Sequence, residues 1–409
     1  MLSVADAERL IFDAVHPLTD TEGVRLPDAT GRILATAVRS QLDFPHWDNS
    51  AMDGYAVRFE DVAATSGQTP VCLDVIEHIA AGTPPQKTLK SGQTARIFTG
   101  AMLPPGADTI VMQENTRRDG DRLNVLQPPK VLGEFVRHRG RFYQAGTPLL
   151  NPGIRLQAAE IAVLAAAQCN VIKVIRKPRV AILSTGSELV APNQPLKPGQ
   201  IVDSNQYALA AFLHQLDIEA LRLGIVADTP QSLRQTITEA LQWADVVIST
   251  GGVSVGDYDY IERILEELGG DIQVRSVAIK PGKPLTMASF AKLRSLYFGL
   301  PGNPVSALVT AWRFVQPALL KLSGLSQGWQ PQFIEATTEL DLPAAPSRET
   351  YIWGRVAIRD GHFYFNCAGG SFSSGNLVNL AQTNACAVIP VGSSGISAGE
   401  KLSVLLLQS

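Results

Sequence analysis

Residues 245–260, DVVISTGGVSVGDYDY, open as an unbroken apolar run, halt at Gly251-Gly252 and lead into a helical stretch that starts near Asp259. A short run of Val and Ile closed by glycines and followed by a helix reads as a buried strand feeding a helix. The same unit recurs from about 178 to 325, where RVAILS (179–184), IEALRLGIV (218–226), IQVRSVAI (272–279) and SLYFGL (295–300) alternate with amphipathic segments. That alternation predicts an α/β domain with an open, mostly parallel sheet covered by helices. In such a sheet, ligands sit beyond the carboxyl ends of the strands.

Outside this centre the pattern changes. Val4, Leu10, Ile11 and Val15 recur at near-helical spacing until His16-Pro17, predicting a packing helix. From about 45 to 150, extended runs such as PVCLDVIEH, ARIFTG, DTIVMQE and RLNVLQ are separated by Gly and Pro clusters, which predicts an inserted β-rich domain. LQAAEIAVLAAAQ (156–168) reads as a helix. After Pro331, FIEATTELDL, TYIWGRVAI, HFYFN, ACAVIPVG and KLSVLLL predict a terminal β-domain. The organisation is therefore multidomain: an N-terminal region over 1–177, an α/β domain over 178–325 and a β-domain over 330–409.

Composition narrows the function. The 409 residues are 45% hydrophobic and 18% charged, as in a globular protein, and a net charge of -3 provides no global field for nucleic acid or anionic lipid. Any anion site must be local. The four cysteines (72, 169, 367, 386) and six histidines are scattered, which argues against zinc or a disulfide scaffold. With no basic leader ahead of an apolar core and no membrane-length apolar run, the expectation is a cytoplasmic protein.

Polar clusters follow the predicted strands. Gly251 and Gly252 with Ser254 let backbone N–H groups approach an anion at a helix start, or serve only as turn formers. Lys280-Pro281-Gly282-Lys283-Pro284 places two ammonium groups on a stiff turn suited to an oxyanion, or is an exposed loop. Pro301 and Ser306, in LPGNPVS, mark a second rigid turn opening a helix. Glu188, Asp203, Asp228, Asp257 and Asp259 are carboxylates at loop positions, suited to Mg²⁺ with its waters or to caps and turns. Earlier in the chain, Asp53 lies in an aperiodic polar and aromatic stretch, and Thr99 follows a strand.

DNSAMDGYAVR (48–58), RIFTGA with PPGADTIVMQE (96–114), STGSELV (184–190), GQIVDSNQ (199–206), TGGVSVGDYDY (250–260), AIKPGKP (278–284) and GLPGNPVSA (299–307), in this order, resemble the molybdopterin molybdenumtransferase family, which includes the carboxy-terminal domain of gephyrin. The resemblance implies a homodimer whose central domain binds molybdopterin and whose C-terminal domain is a β-barrel. It implies Mg²⁺ as cofactor and molybdate as co-substrate, with adenylylated molybdopterin converted to molybdenum cofactor and AMP released. Other molybdenum cofactor biosynthesis proteins are implied as partners. On the matched motifs it implies catalytic roles for Asp53, Asp259, Lys280 and Lys283, and metal binding by Asp228, Asp257 and Asp259. Thr99, Glu188, Gly251, Gly252, Ser254, Pro301, Ser306 and Ser374 are assigned to substrate binding.

Three positions depart from the family pattern. Arg141-Phe142 stands where two carboxylates are expected, Trp353 where an arginine should meet molybdate, and Ser276, beside Arg275, where a basic residue is expected. Trp offers one N–H and no charge, so it does not replace a guanidinium; Arg348 and Arg355 are the neighbouring candidates to compensate. These departures keep two rivals open: a noncatalytic pterin-binding or scaffolding dimer, and a nucleotide-processing enzyme on the same α/β domain.

Overall fold

A computed structural model of the chain describes residues 1–66, 69–252, 260–369 and 373–407. It divides into two units, Ala37–Asn151 with Ala162–Cys169, and Met1–Thr36 with Pro152–Ile161 and Asn170–Ser409.

The first of these is the inserted β-rich stretch. Its strands are β1 (Gly54–Val57), β2 (Val71–Ile79), β3 (Gln93–Ile97), β4 (Thr109–Met112), β5 (Thr116–Asp119) and β6 (Arg122–Val125), ordered β4-β1-β3-β2-β6-β5 in one sheet. Both faces of the sheet are covered. Tyr55 and Val57 enter one buried cluster while Ala56 enters another, as the two-residue period of a strand requires. Four of these strands coincide with the predicted runs. The polar edge strand β5 and the glycine-led β1 have no apolar alternation to announce them.

In the larger unit, α1 (Val4–Ala14) is capped by Ser3, whose hydroxyl accepts from the Asp6 N–H at 3.0 Å. The helix buries Val4, Ala7, Ile11 and Phe12 and ends ahead of His16-Pro17. The central sheet comprises β7 (Val180–Thr185), β8 (Ala220–Val226), β9 (Val246–Thr250), β10 (Asp271–Ser276), β11 (Pro284–Phe290) and β12 (Ser295–Leu300), in the order β8-β7-β9-β12-β11-β10. The β8-β7-β9-β12 pairings are parallel, and β11 runs antiparallel to both of its neighbours. The sheet is thus mixed, with β11 a strand not anticipated from the sequence. The run IQVRSVAI also splits: β10 stops at Ser276, and Ile279–Lys280 pairs elsewhere.

Helices cover both faces. Val180 and Ile182 of β7 pack with α1 and with α2 (Asn205–Gln215), whereas Ala181 and Leu183 pack with α3 (Pro230–Trp243) and α4 (Tyr260–Glu267). This accounts for the continuous apolar runs that open β7 and β9; the polar residues at their carboxyl ends are buried too, with the Ser184 and Thr250 hydroxyls hydrogen-bonded to each other at 3.0 Å. After β12 comes α5 (Pro304–Thr310), whose helix continues to Leu322.

The C-terminal region is a closed five-stranded barrel of β13 (Phe333–Thr338), β14 (Glu349–Arg359), β15 (His362–Cys367), β16 (Ala385–Ile389) and β17 (Lys401–Leu406). The order β14-β15-β13-β17-β16 returns to β14, so no edge remains among these strands. Ile352 and Phe365 fill the barrel, whereas Tyr351, Trp353, Cys386 and Leu405 enter the same core as α1 and the central sheet. No described helix is long and apolar enough to cross a membrane.

Candidate functional site

The central strands end level with one another: Ser184 pairs with Thr250, and Thr250 with Leu300. Since β7 is followed in sequence by β8 on one side and later by β9 on the other, the order reverses between β7 and β9. A crevice is expected outside such a switch point. The Gly251-Gly252 turn occupies that point. Gly251 has φ +86°, and a Cβ there would overlap the Thr185 carbonyl oxygen, so only glycine fits. Its N–H reaches the Leu300 carbonyl at 3.3 Å, which ties the β9 turn to the Pro301-Gly302 turn beyond β12. Asn205, at the start of α2, donates to the Gly302 carbonyl at 2.7 Å and fixes that turn from below.

The lysine turn forms the facing wall. Ile279 and Lys280 pair with Glu349 and Thr350, so the start of β14 sets the register of the first lysine. Gly282 has φ +111° and packs so closely on α5 that a Cβ would press into the Thr310 methyl. Between these walls lies a cavity of about 550 Å³, the size of a small-molecule site. Lys280, Lys283, Ser306, Ser374, Pro301 and both glycines line it. The sequence proposes all seven for the site, and the fold gathers them in one place. Ser306 is buried at the start of α5, and the Ser374 hydroxyl accepts from Asn303 Nδ2 at 2.9 Å. No Asp or Glu of the described residues lines the cavity, so its electrostatics are those of two lysines, Arg348, hydroxyls and backbone N–H groups. That set suits an oxyanion.

The other candidates are not among the described residues that line this cavity. Asp53 and Thr99 meet in the inserted unit, where the Thr99 N–H and hydroxyl both donate to one Asp53 oxygen at 2.8 Å. The Thr99 backbone and side-chain donors hold the Asp53 carboxyl below its ordinary range. Glu188 is exposed after β7, and Asp228, exposed after β8, accepts from Thr185 Oγ1 at 3.2 Å. Its second oxygen has no hydrogen bond among the described residues, and a free hard oxygen at this place fits Mg²⁺, which takes one or two carboxylates and keeps its waters. Among the described residues, no three His, Cys, Asp or Glu side chains group to hold a metal. Ser254, Asp257 and Asp259 lie outside the described residues. Asp203 takes the capping alternative: it is buried and accepts from the N–H and side-chain amide of Gln206.

The departures also find their places. Trp353 is almost wholly buried beside the cavity, and Arg275 is committed to Glu262 and Glu266 of α4. Arg355 donates to the Gln382 carbonyl at 2.9 Å, whereas Arg348 lines the cavity. Phe142 is exposed against Phe44 at 5.7 Å, and the carboxylate of this turn is that of Asp43, which accepts from the Ala145 N–H at 2.8 Å and from Arg139 at 2.7 Å. Sequence reasoning did not single out Asn205, Asn303, Thr350 or Tyr351 for the site. Tyr351 donates to Glu349 at 2.6 Å and accepts from Arg313 at 2.9 Å, and burial pushes its phenol well above the usual value, so it stays neutral.

A doubly covered α/β sheet with a cationic crevice at its switch point, walled on one side by a β-barrel, defines the class: a multidomain α/β protein whose crevice is lined by lysines, an arginine and hydroxyls. Residues 2–167 match the MoeA N-terminal region (domain I and II), 181–321 a probable molybdopterin binding domain, and 335–407 the MoeA C-terminal region (domain IV). The chain is 56% identical over its full length to the molybdopterin molybdenumtransferase of Nostoc sp., covering 94% of that protein. It is 34% identical to the enzyme of that name from Haemophilus influenzae, over 99% of this chain and 98% of that one. The crystal structure of the molybdopterin biosynthesis moeA protein from Pyrococcus horikoshii superposes with a TM-score of 0.84 at 29% identity, covering 99% of this chain and 100% of the other. The chain therefore belongs to the molybdopterin molybdenumtransferase family, as the resemblance of its motifs implies.

Proposed function

We propose that this protein is a molybdenumtransferase of molybdenum cofactor biosynthesis, which uses molybdate and adenylylated molybdopterin and releases AMP. The observation that carries the reading is the crevice in which Lys280, Lys283, Ser306 and Ser374 converge beside the Gly251-Gly252 turn. Molybdate is a tetrahedral dianion, and the pterin substrate carries a phosphoanhydride. Bringing them together concentrates negative charge, which fixed ammonium groups and oriented donors offset most effectively in a partly water-excluded cavity. Ser306 and Ser374 supply hydroxyl donors, and the two lysines neutralise the oxyanion without rearranging, because the prolines around them hold the turn.

Asp228, with Asp257 and Asp259, is assigned to Mg²⁺, which when bound supplies Lewis-acid polarisation of the phosphate oxygens. Asp53, paired with Thr99 in the inserted unit, keeps the catalytic role that the motif resemblance gives it, and Thr99 the substrate-binding one; a homodimer acting in the cytoplasm completes the reading. The test is AMP release from adenylylated molybdopterin with Mg²⁺, measured with molybdate present and absent. Release that requires molybdate, and that Lys280→Ala lowers at least about tenfold, is the expected result. Tight pterin binding without turnover at any molybdate concentration would instead select a noncatalytic pterin-binding protein. Release unaffected by Lys280→Ala would remove the crevice from the chemistry.

A further inference from the structure

We infer that Arg348 is the guanidinium that binds the tetrahedral oxyanion in this crevice; the inference deepens the proposed function and rests on its reading of the crevice as an oxyanion site. Among the described residues, three cationic side chains line the cavity, Lys280, Lys283 and Arg348. The two ammonium groups come from the turn between β10 and β11, and Arg348 comes from the segment that leads into β14. The strand pairing of Ile279–Lys280 with Glu349–Thr350 brings the two segments side by side, so the third charge is placed by the same register that places the first.

Arg348 is also available. Its guanidinium makes no hydrogen bond or ion pair among the described residues, although its backbone is held: its N–H donates to Ala345 at 3.0 Å and its carbonyl accepts from Thr350 Oγ1 at 3.2 Å. The backbone is therefore fixed while the donors of the side chain remain unspent. The neighbouring arginines differ. Arg313 is buried on Glu8 and Tyr351, Arg275 is taken by two glutamates, and Arg355 by a carbonyl. No described carboxylate lines the cavity to neutralise Arg348 from across it.

The chemistry of the group adds a reason. Lysine presents a compact point charge, whereas a guanidinium presents a planar fork that can donate two parallel N–H bonds to two oxygens of one tetrahedral anion. The indole of Trp353, buried at the same wall, carries no charge. With Lys280 and Lys283 as point charges, Arg348 is the lining side chain, among the described residues, that joins a positive charge to a directed pair of donors, and so fixes the anion's orientation beside the serine hydroxyls.

The experiment is calorimetric titration of the full-length protein with sodium molybdate, comparing wild type with Arg348→Gln, Arg348→Lys and Lys280→Ala, each checked for an unchanged circular dichroism spectrum and Tm. Wild type should bind one molybdate saturably. Arg348→Gln should weaken binding at least about tenfold, since a charge-assisted bond contributes more than a decade in affinity. Arg348→Lys should recover only part of it. Adding guanidinium chloride, against a sodium chloride control of equal ionic strength, should restore binding to Arg348→Gln, a rescue that a merely structural role would not produce. Molybdate binding by Arg348→Gln equal to wild type, with Lys280→Ala impaired, would overturn the assignment to Arg348 while leaving the crevice reading intact. Absence of saturable molybdate binding by wild type would overturn the crevice reading and the assignment with it.

Discussion

Asp53 takes two hydrogen bonds from a single residue, and both come from donors that favour its charged form. A carboxyl held below its ordinary value of 3.8 contributes stability that is present above that value and is lost as the pH falls through the lowered one. The Asp53–Thr99 pair should therefore persist at neutral pH and open only in acid. Thr99→Val removes the hydroxyl donor and keeps the N–H, so the Asp53 pKa should move up toward 3.8 without the pair's backbone bond being lost. An NMR titration of the Asp53 carboxyl carbon in wild type and variant reads this directly, and coincident curves would show that the hydroxyl contributes nothing. At this scale the sequence is informative where a polar residue follows a strand, as with Lys280, Lys283 and Ser306. It is silent on Asn205, which holds Gly302 from 97 positions away, and it offers Arg348 and Arg355 alike without choosing between them, because the choice depends on Arg355 being engaged by the Gln382 carbonyl while Arg348 lines the cavity.

The element that organises the crevice is the turn after β9. Gly251 combines a left-handed backbone with contact against the Thr185 carbonyl, so both its conformation and its lack of a side chain are used. Gly251→Ala must either strain φ or separate β9 from β7, and it should cost at least about 2 kcal/mol of stability. Urea denaturation measures that loss. An alanine variant as stable as wild type would show that the turn rearranges freely and does not fix the anion site. Glycine and the flanking apolar runs made this strand–turn–helix unit legible, because a strand covered on both faces leaves a signal in every residue. By contrast, β11 begins with a proline and carries Thr286 and Ser289, and β5 is a polar edge strand, so neither shows a period that distinguishes strand from loop. Both pair with strands close by in the chain, β11 with β10 and β12 and β5 with β6, so what the sequence lacks is the apolar period and not the proximity.

In the larger unit, α1, the central sheet and one face of the barrel share a core, and this predicts how that unit loses its structure. Trp353 and Tyr351 of β14 point into this core, while Ile352 between them points into the barrel, so a single strand belongs to two cores. A polar bridge follows the same path: Glu8 of α1 accepts from Arg313 at 2.5 Å, and Arg313 donates to Tyr351 at 2.9 Å. Trp353→Ala would leave a large cavity and should cost about 3–5 kcal/mol, with the loss felt on both sides of it. Phe365→Ala, inside the barrel, should have a comparable cost confined to the barrel's own cluster. Hydrogen exchange separates the two cases. Trp353→Ala should speed exchange at the β9 and β12 amides as well as in β14, because a shared core opens as one cooperative element. Phe365→Ala should speed exchange in the barrel while β9 keeps its protection. If Trp353→Ala left β9 as protected as in wild type, the barrel and sheet would be separately stable, and the wall carrying Arg348 and Thr350 could part from the lysine turn without unfolding either.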